Sequence, residues 1–224
     1  MSVELSPIIA GVMNWGVWDK NLNTNEFTHL INLFIENGIT TFDHADIYGG
    51  YTTEASFGKA LSESKIDRKK IQLITKCGIQ YTSENRPNNS IKHYEYSKDY
   101  IIWSAENSLK NLQTDYLDAL LLHRPSPLMQ ADEIAEAVLK LKADGKILSF
   151  GVSNFTSSQT ELLRQKTEIS FNQVQFSATH HEAMLDGSFD YMQIHNIKPM
   201  AWNPLGTVFR ENTDQTFRLR QLLA

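Results

Sequence analysis

The sequence predicts an α/β fold, a (β/α) barrel with about seven strand–helix units present. Three observations carry this. Strand and helix patterns alternate along the whole chain with a period of roughly 30 residues. The strand segments are continuous apolar runs rather than alternating ones, as expected of parallel strands covered on both faces. The first strand–helix turn, Gly11-Val12-Met13-Asn14-Trp15-Gly16, lacks the G-x-G-x-x-G of a doubly wound dinucleotide-binding half, which favours the barrel.

The elements follow in order. Residues 7–13 are an apolar run, β1. Residues 25–37 place Phe27, Leu30, Ile31, Phe34 and Ile35 on one helical stripe, with Asn23 or Thr24 as cap and Gly38 as stop. Residues 39–42 are β2, 53–62 a helix and 71–75 β3. The polar stretch 80–96, rich in Asn, Ser and Tyr, reads as a long loop. Ser97 caps a helix bearing Ile101, Ile102, Ala105, Leu109 and Leu112. Residues 117–122 are β4, followed by a helix over 132–144 closed by Gly145. Then come β5 (147–152), a helix over 157–165, β6 (171–174), a helix near 189–194 and β7 (198–202). A final helix begins at residue 213 and meets the chain end at residue 224. With no linker or low-complexity segment, residues 1–224 are expected to form a single barrel domain. Seven strands are one short of a closed barrel, so the last βα unit is expected to be missing and two sheet edges left raw. The sequence thus suggests a product shortened at its C-terminus.

Bulk properties narrow the function. The chain has 224 residues, 41% hydrophobic and 21% charged, as in an ordinary soluble globular protein. A net charge of -5 argues against a nucleic-acid or membrane-surface binder. A lone cysteine, Cys77, forbids an intrachain disulfide and fits a reducing, cytoplasmic setting. The start carries no signal-peptide pattern, and no apolar run approaches a membrane span. No helix face suggests more than a monomer or weak oligomer.

The chemistry concentrates at strand ends, which converge on one mouth of a barrel. Asp43 and Tyr48 follow β2, Lys76 follows β3 and His123 follows β4. An ammonium at Lys76 lowers the pKa of a neighbouring phenol, Asp43 keeps that ammonium charged, and His123 orients a substrate oxygen. Such a tyrosine protonates a carbonyl oxygen as hydride reaches carbon. Each residue alone also has a structural reading: a turn cap, a solvated lysine, a satisfied core histidine. Asp46 with Asp43 and His44 lacks further metal-ligand partners, so no metal site is expected. His44 is expected to pack or to meet solvent, and Cys77 to be an inert buried thiol. Trp15, Trp18, Tyr81, Tyr94 and Tyr96 are candidates for a substrate cleft.

Five blocks together resemble the aldo-keto reductase family. They are Asp43-x-x-x-x-Tyr48, the segment from Ser108 to Asp118, Gly145-Lys146-Ile147 through Gly151-Val152-Ser153-Asn154-Phe155, Phe171-Asn172-Gln173-Val174-Gln175, and the tetrad positions Lys76 and His123. The details look most like its YdhF-type bacterial oxidoreductase branch. The resemblance implies a (β/α)8 TIM barrel and reduction of small carbonyl substrates by a nicotinamide hydride, NADP(H) or NAD(H), with Tyr48 as proton donor. It implies Ser153, Asn154 and Gln173 as holders of the nicotinamide carboxamide and Trp202 as the stacking aromatic. Asn203, Leu205 and Gly206 would border the pyrophosphate, and Gly11, Val12 and Met13, beside Asp43, the ribose. The segment that grips the adenosine 2′-phosphate has no counterpart here. Two other functions stay open: a remnant or regulatory member that binds cofactor without catalysis, and a Schiff-base aldolase using Lys76.

Overall fold

The computed structural model describes residues 3–223; Ala224, the last residue of the expected final helix, and the first two residues lie outside the described residues. Seven parallel strands form one curled sheet in the order β1 (Ile9–Gly11), β2 (Thr41–Asp43), β3 (Gln72–Cys77), β4 (Leu117–Leu122), β5 (Ile147–Ser153), β6 (Phe171–Gln175), β7 (Lys198–Trp202). Spatial order equals chain order, as crossovers of one hand produce. Among the described residues β1 and β7 are the sheet edges and do not pair with each other.

The crossovers carry helices on the outer face: α1 (Thr24–Glu36), α2 (Thr53–Ser64), α3 (Lys98–Leu112), α4 (Ala131–Ala143), α5 (Ser157–Arg164) and α6 (Ser188–Ile194). A last helix, α7 (Asp214–Leu223), follows β7. Capping chemistry sets their starts. The Asn23 side chain accepts from the Asn25 and Glu26 amides while Glu26 reaches back to the Asn23 amide. Thr156 and Gln159 repeat this box before α5, and Ser97 caps α3. The expected loop over 80–96 is partly ordered. Ile79–Gln80 pairs antiparallel with His93–Tyr94, a hairpin too short and polar for its alternation to show in the sequence. None of the described helices is long and apolar enough to cross a membrane.

Strand parity divides the core in two. Odd and even positions face opposite sides of the sheet. Leu73, Leu120, Leu122, Val152 and Val174 pack outward beneath the helices. Ile74, Ala119, Leu121, Phe171 and Met200 form a separate inner cluster, floored by Val3, Leu5 and Ile9. The same inward parity continues one step further to Asp43, Lys76, Ser153 and Gln173, so the inner face turns from apolar to polar within one layer. Trp15, a cleft candidate, belongs instead to the outer core, stacked on Phe34 at 5.7 Å and edge-on to Phe27 at 5.6 Å.

Helices α2 and α3 meet at Gly58, where an added Cβ would lie 2.1 Å from the Asn111 carbonyl oxygen and 2.7 Å from the Leu112 carbonyl carbon. Those are backbone atoms and cannot rotate away. Gly58→Ala should therefore destabilise the fold by about 1–3 kcal/mol, read as a lower urea midpoint at unchanged slope.

Candidate active site

The polar layer is organised by one buried ammonium. Lys76 sits inside β3, at its penultimate residue, and is 1% exposed. Its Nζ has three protons and three acceptors: Asp43 Oδ1 at 2.7 Å, the His44 carbonyl at 2.8 Å and the Tyr48 hydroxyl at 3.4 Å. Burial works against its charge, but Asp43 and Tyr48 outweigh burial and its pKa lies above the ordinary lysine value. Asp43 ends β2 next to β3, and the Asp46 amide donates to the Lys76 carbonyl at 3.0 Å. Sequence neighbours of Tyr48 are thus tied to the strand that carries Lys76.

Tyr48 opens a single helical turn, Tyr48–Tyr51. Its ring meets His123 edge-on at 6.0 Å and Trp18 edge-on at 6.0 Å. Burial pushes its hydroxyl above the ordinary tyrosine value; Lys76 pulls it down, Asp43 pushes it up and Arg124 pulls it down. The sequence predicts that Lys76 lowers the pKa of Tyr48. Lys76 does act in that direction, but enclosure of the phenol between Trp18 and His123 outweighs it. Tyr48 therefore holds its proton at neutral pH.

His123 directly follows β4, its amide bonded to the Cys77 carbonyl at 2.9 Å. Burial, then the cations Lys76, Arg124 and Lys92, hold its pKa well below 6.5, so the imidazole is neutral. Its Nδ1 is enclosed without a partner. A ring proton on Nε2 would be available to a substrate oxygen.

Across the mouth, β5, β6 and β7 present a second set. Ser153 Oγ donates to the Gln173 carbonyl at 3.1 Å, Asn154 Nδ2 to Ser153 Oγ at 2.8 Å and Trp202 Nε1 to Asn154 Oδ1 at 2.9 Å. The Trp202 indole is thereby fixed, with the Arg124 guanidinium 5.7 Å from its ring centroid. Beyond it, Asn203 and Gly206 both take left-handed backbone (φ 54° and 55°) in a tight turn. Arg210 hooks that turn through the Gly206 carbonyl and Asn203 Oδ1. Leu205 is exposed at its tip. Gly11 pairs in register with Asp43, the Val12 amide bonds the Asp43 carbonyl at 3.1 Å, and Met13 is exposed at the rim. Every expected site residue thus lies on the same end of the sheet.

Beneath the site the fold brings together a buried cluster of His44, Asp46, Glu54 and Cys77. His44 is fully buried against Phe57, ring centroids 4.4 Å apart, both ring nitrogens unpartnered. Burial, then Lys76, lowers its pKa to about 3, so it packs as a neutral ring and meets no solvent. Asp46 Oδ2 accepts from Tyr100 and Ser104, each at 3.2 Å. Burial, then Glu54, raises the Asp46 pKa to about 8. Glu54 is buried too, accepting from Thr75 Oγ1 at 2.6 Å, and burial raises its pKa. Burial likewise raises the Cys77 thiol well above its ordinary value, which leaves it inert. A strand-end carboxylate eight residues before a helical glutamate was the available signal; only the fold shows that both face the same interior.

A sequence profile of the Aldo/keto reductase family matches residues 7–221. An uncharacterized oxidoreductase of Bacillus subtilis, YcsN, is 47% identical over 99% of this chain and 74% of its own length. Oxidoreductase YdhF of Escherichia coli is 44% identical over the same shares. A 6-dehydroglucose reductase of Agrobacterium fabrum is 38% identical over 91% of this chain and 69% of its own length. Among solved structures, the holo form of an aldo-keto reductase from Bacillus halodurans superposes with TM-score 0.82 at 25% identity, covering 98% of this chain and 73% of that one. The chain thus spans about three quarters of the length of these relatives.

The acid cluster has a pH signature. Unfolded, Asp46 ionises near its ordinary value of 3.8; folded, it stays protonated to about 8. The folded state binds the extra proton, so this residue's contribution to stability is full below pH 4 and is lost as pH rises towards 8. Asp46→Asn keeps an acceptor for Tyr100 and Ser104 without that proton. Urea denaturation of Asp46→Asn at pH 5 and pH 8 should show a smaller loss of stability with rising pH than the parent.

Proposed function

The chain belongs to the aldo/keto reductase family, and from that premise we propose that it is a cytoplasmic, NADP(H)-dependent oxidoreductase that reduces small carbonyl compounds to alcohols. The observation that carries the reading is the Lys76 Nζ held by Asp43, the His44 carbonyl and the Tyr48 hydroxyl beneath a neutral His123. The relatives' reductase and oxidoreductase names support the reaction class, and the sugar carbonyl named for one of them makes a polyhydroxylated aldehyde or ketone a sensible first substrate to try.

The residues fit a nicotinamide. The Gln173 side chain is nearly buried and has no hydrogen-bond partner among the described residues, so its amide is free to pair with a carboxamide. Asn154 fixes the Trp202 indole as a flat wall beside it. In this reading Ser153, Asn154 and Gln173 orient the carboxamide, Trp202 packs on the ring, Asn203, Leu205 and Gly206 border the pyrophosphate, and Gly11, Val12, Met13 and Asp43 border the ribose. When bound, the reduced nicotinamide supplies the hydride.

The chain's own residues handle the proton. His123 Nε2 donates to the substrate oxygen and aims it at Tyr48. Tyr48 keeps its proton until negative charge develops on that oxygen, then releases it. The tyrosinate left behind meets the Lys76 ammonium, which Asp43 holds charged. A Schiff-base role for Lys76 fits poorly. A nucleophilic amine needs a depressed pKa, whereas Lys76 is raised and fully engaged.

Titration with NADPH, and in parallel NADH, should quench tryptophan fluorescence through Trp202. Tyr48→Phe should bind cofactor normally while turnover of a generic aldehyde falls by roughly 100- to 10,000-fold. No binding at millimolar cofactor, or an unimpaired Tyr48→Phe enzyme, would contradict the proposal.

A further inference from the structure

The turn that carries Tyr48 has an unusual backbone. Gly49 (φ 59°, ψ 31°), Gly50 (φ 66°, ψ 37°) and Tyr51 (φ 72°) lie in succession in the left-handed region. Two glycines adopt it freely, but Tyr51 carries a side chain that disfavours it. Room is also lacking: a Cβ on Gly49 would lie 2.4 Å from Thr53 Oγ1. Within the turn the Tyr51 amide lies 3.3 Å from the Ile47 carbonyl, the Thr52 amide 3.2 Å from the Tyr48 carbonyl, and the Thr52 hydroxyl donates to the Gly49 carbonyl at 2.7 Å. These bonds leave the Gly50 carbonyl and the Tyr51 side chain to be held from outside the turn.

The segment Tyr81 to Arg86 does so from above. The Tyr81 hydroxyl donates to the Ile47 carbonyl at 3.2 Å, and its amide donates to the Tyr51 hydroxyl at 3.2 Å. The two rings stack, 5.1 Å apart and inclined by 19°. Asn85 Nδ2 and Ser83 Oγ both donate to the Gly50 carbonyl, at 2.8 and 3.3 Å. The Arg86 guanidinium lies 4.6 Å from the Tyr51 ring centroid and 4.8 Å from that of Trp103 on α3. It forms no ion pair among the described residues; besides stacking, it donates to the Asn85 carbonyl at 3.3 Å, and its charge opposes the upward shift of the Glu54 carboxyl.

We propose that Tyr81 and Arg86 are positioning residues that clamp the left-handed Gly49–Tyr51 turn and thereby set the Tyr48 hydroxyl against Lys76. The proposal rests on the reading of Tyr48 as proton donor. The Tyr48–Lys76 contact, at 3.4 Å, is the longest of the three that Lys76 makes. It has little reach to spare, so a small rotation of the turn separates the phenol from its ammonium. The clamp also leads outward: Trp18, edge-on to Tyr48, lies 6.5 Å from Tyr81. One loop thus holds both the proton donor and an aromatic wall beside it.

The test uses Tyr81→Phe, which keeps the stack and removes one donor, together with Arg86→Ala and Arg86→Lys. Amide hydrogen exchange at Tyr51 and Thr52 should quicken about tenfold or more in Tyr81→Phe and Arg86→Ala. In the same variants kcat should fall by about 10- to 100-fold at unchanged cofactor affinity, and the alkaline limb of the pH–rate profile should move to higher pH as Tyr48 loses Lys76. Arg86→Lys keeps the charge but not the planar stack and should not rescue. Unchanged exchange overturns the clamp. So does faster exchange with intact kcat and pH limb, and so does full rescue by Arg86→Lys, which would make Arg86 a charge contact instead. Exchange needs no turnover, so the clamp remains testable even if Tyr48→Phe disproves the reductase reading.

Discussion

The buried ion pair between Lys76 and Asp43 is the constraint on which the rest of the site depends. An ammonium at 1% exposure is tolerable only while each proton has an acceptor, and the three acceptors come from one six-residue stretch of the chain, Asp43, His44 and Tyr48. Breaking such a pair leaves an uncompensated buried charge, at a cost of about 3–5 kcal/mol. The pair therefore adds to the apolar layer beneath it in fixing the register of β2 against β3. It also holds the chain path from Asp43 to Tyr48 over the end of β3.

The same charge dictates the state of its surroundings. His44 and His123 lie in its field and in a dry interior, and both are held neutral. Asp46 and Glu54, beneath the site, are pushed towards protonation by burial, which for Glu54 outweighs the opposing charge of Arg86. Tyr48 stands between opposing influences. Burial keeps its proton on, while Lys76 reduces the cost of losing it. That balance suits a proton donor better than a strongly acidified phenol would. The donor must stay protonated in the resting protein and part with its proton only when charge appears on the substrate.

Much of this was legible in the sequence because it depends on local pattern. Seven apolar runs became seven parallel strands, and Asp43, Lys76 and His123 fell at strand ends because strand parity and length put them there. The capping box at Asn23 and Glu26 was half visible from its spacing. What was not legible depends on packing between distant segments. Trp15 reads as a rim aromatic until Phe27 and Phe34 are seen to enclose it. The hairpin of Ile79–Gln80 with His93–Tyr94 is too short to alternate. The direction of the Tyr48 pKa depends on enclosure, which no residue spacing encodes. The contacts of Tyr81 and Arg86 with the Gly49–Tyr51 turn cross thirty or more residues of chain, and their participants look like ordinary loop residues.

The central claim is that the Lys76–Asp43 pair holds Tyr48 as a protonated phenol whose ionisation Lys76 favours. The most direct measurement is the pH titration of Tyr48 by NMR of ring-labelled tyrosine, assigned by its absence in Tyr48→Phe and repeated in Lys76→Met. Tyr48 should ionise above the ordinary value of 10 in the parent protein, and higher still in Lys76→Met. Ionisation at or below the ordinary value in the parent, or a midpoint indifferent to Lys76, would contradict it.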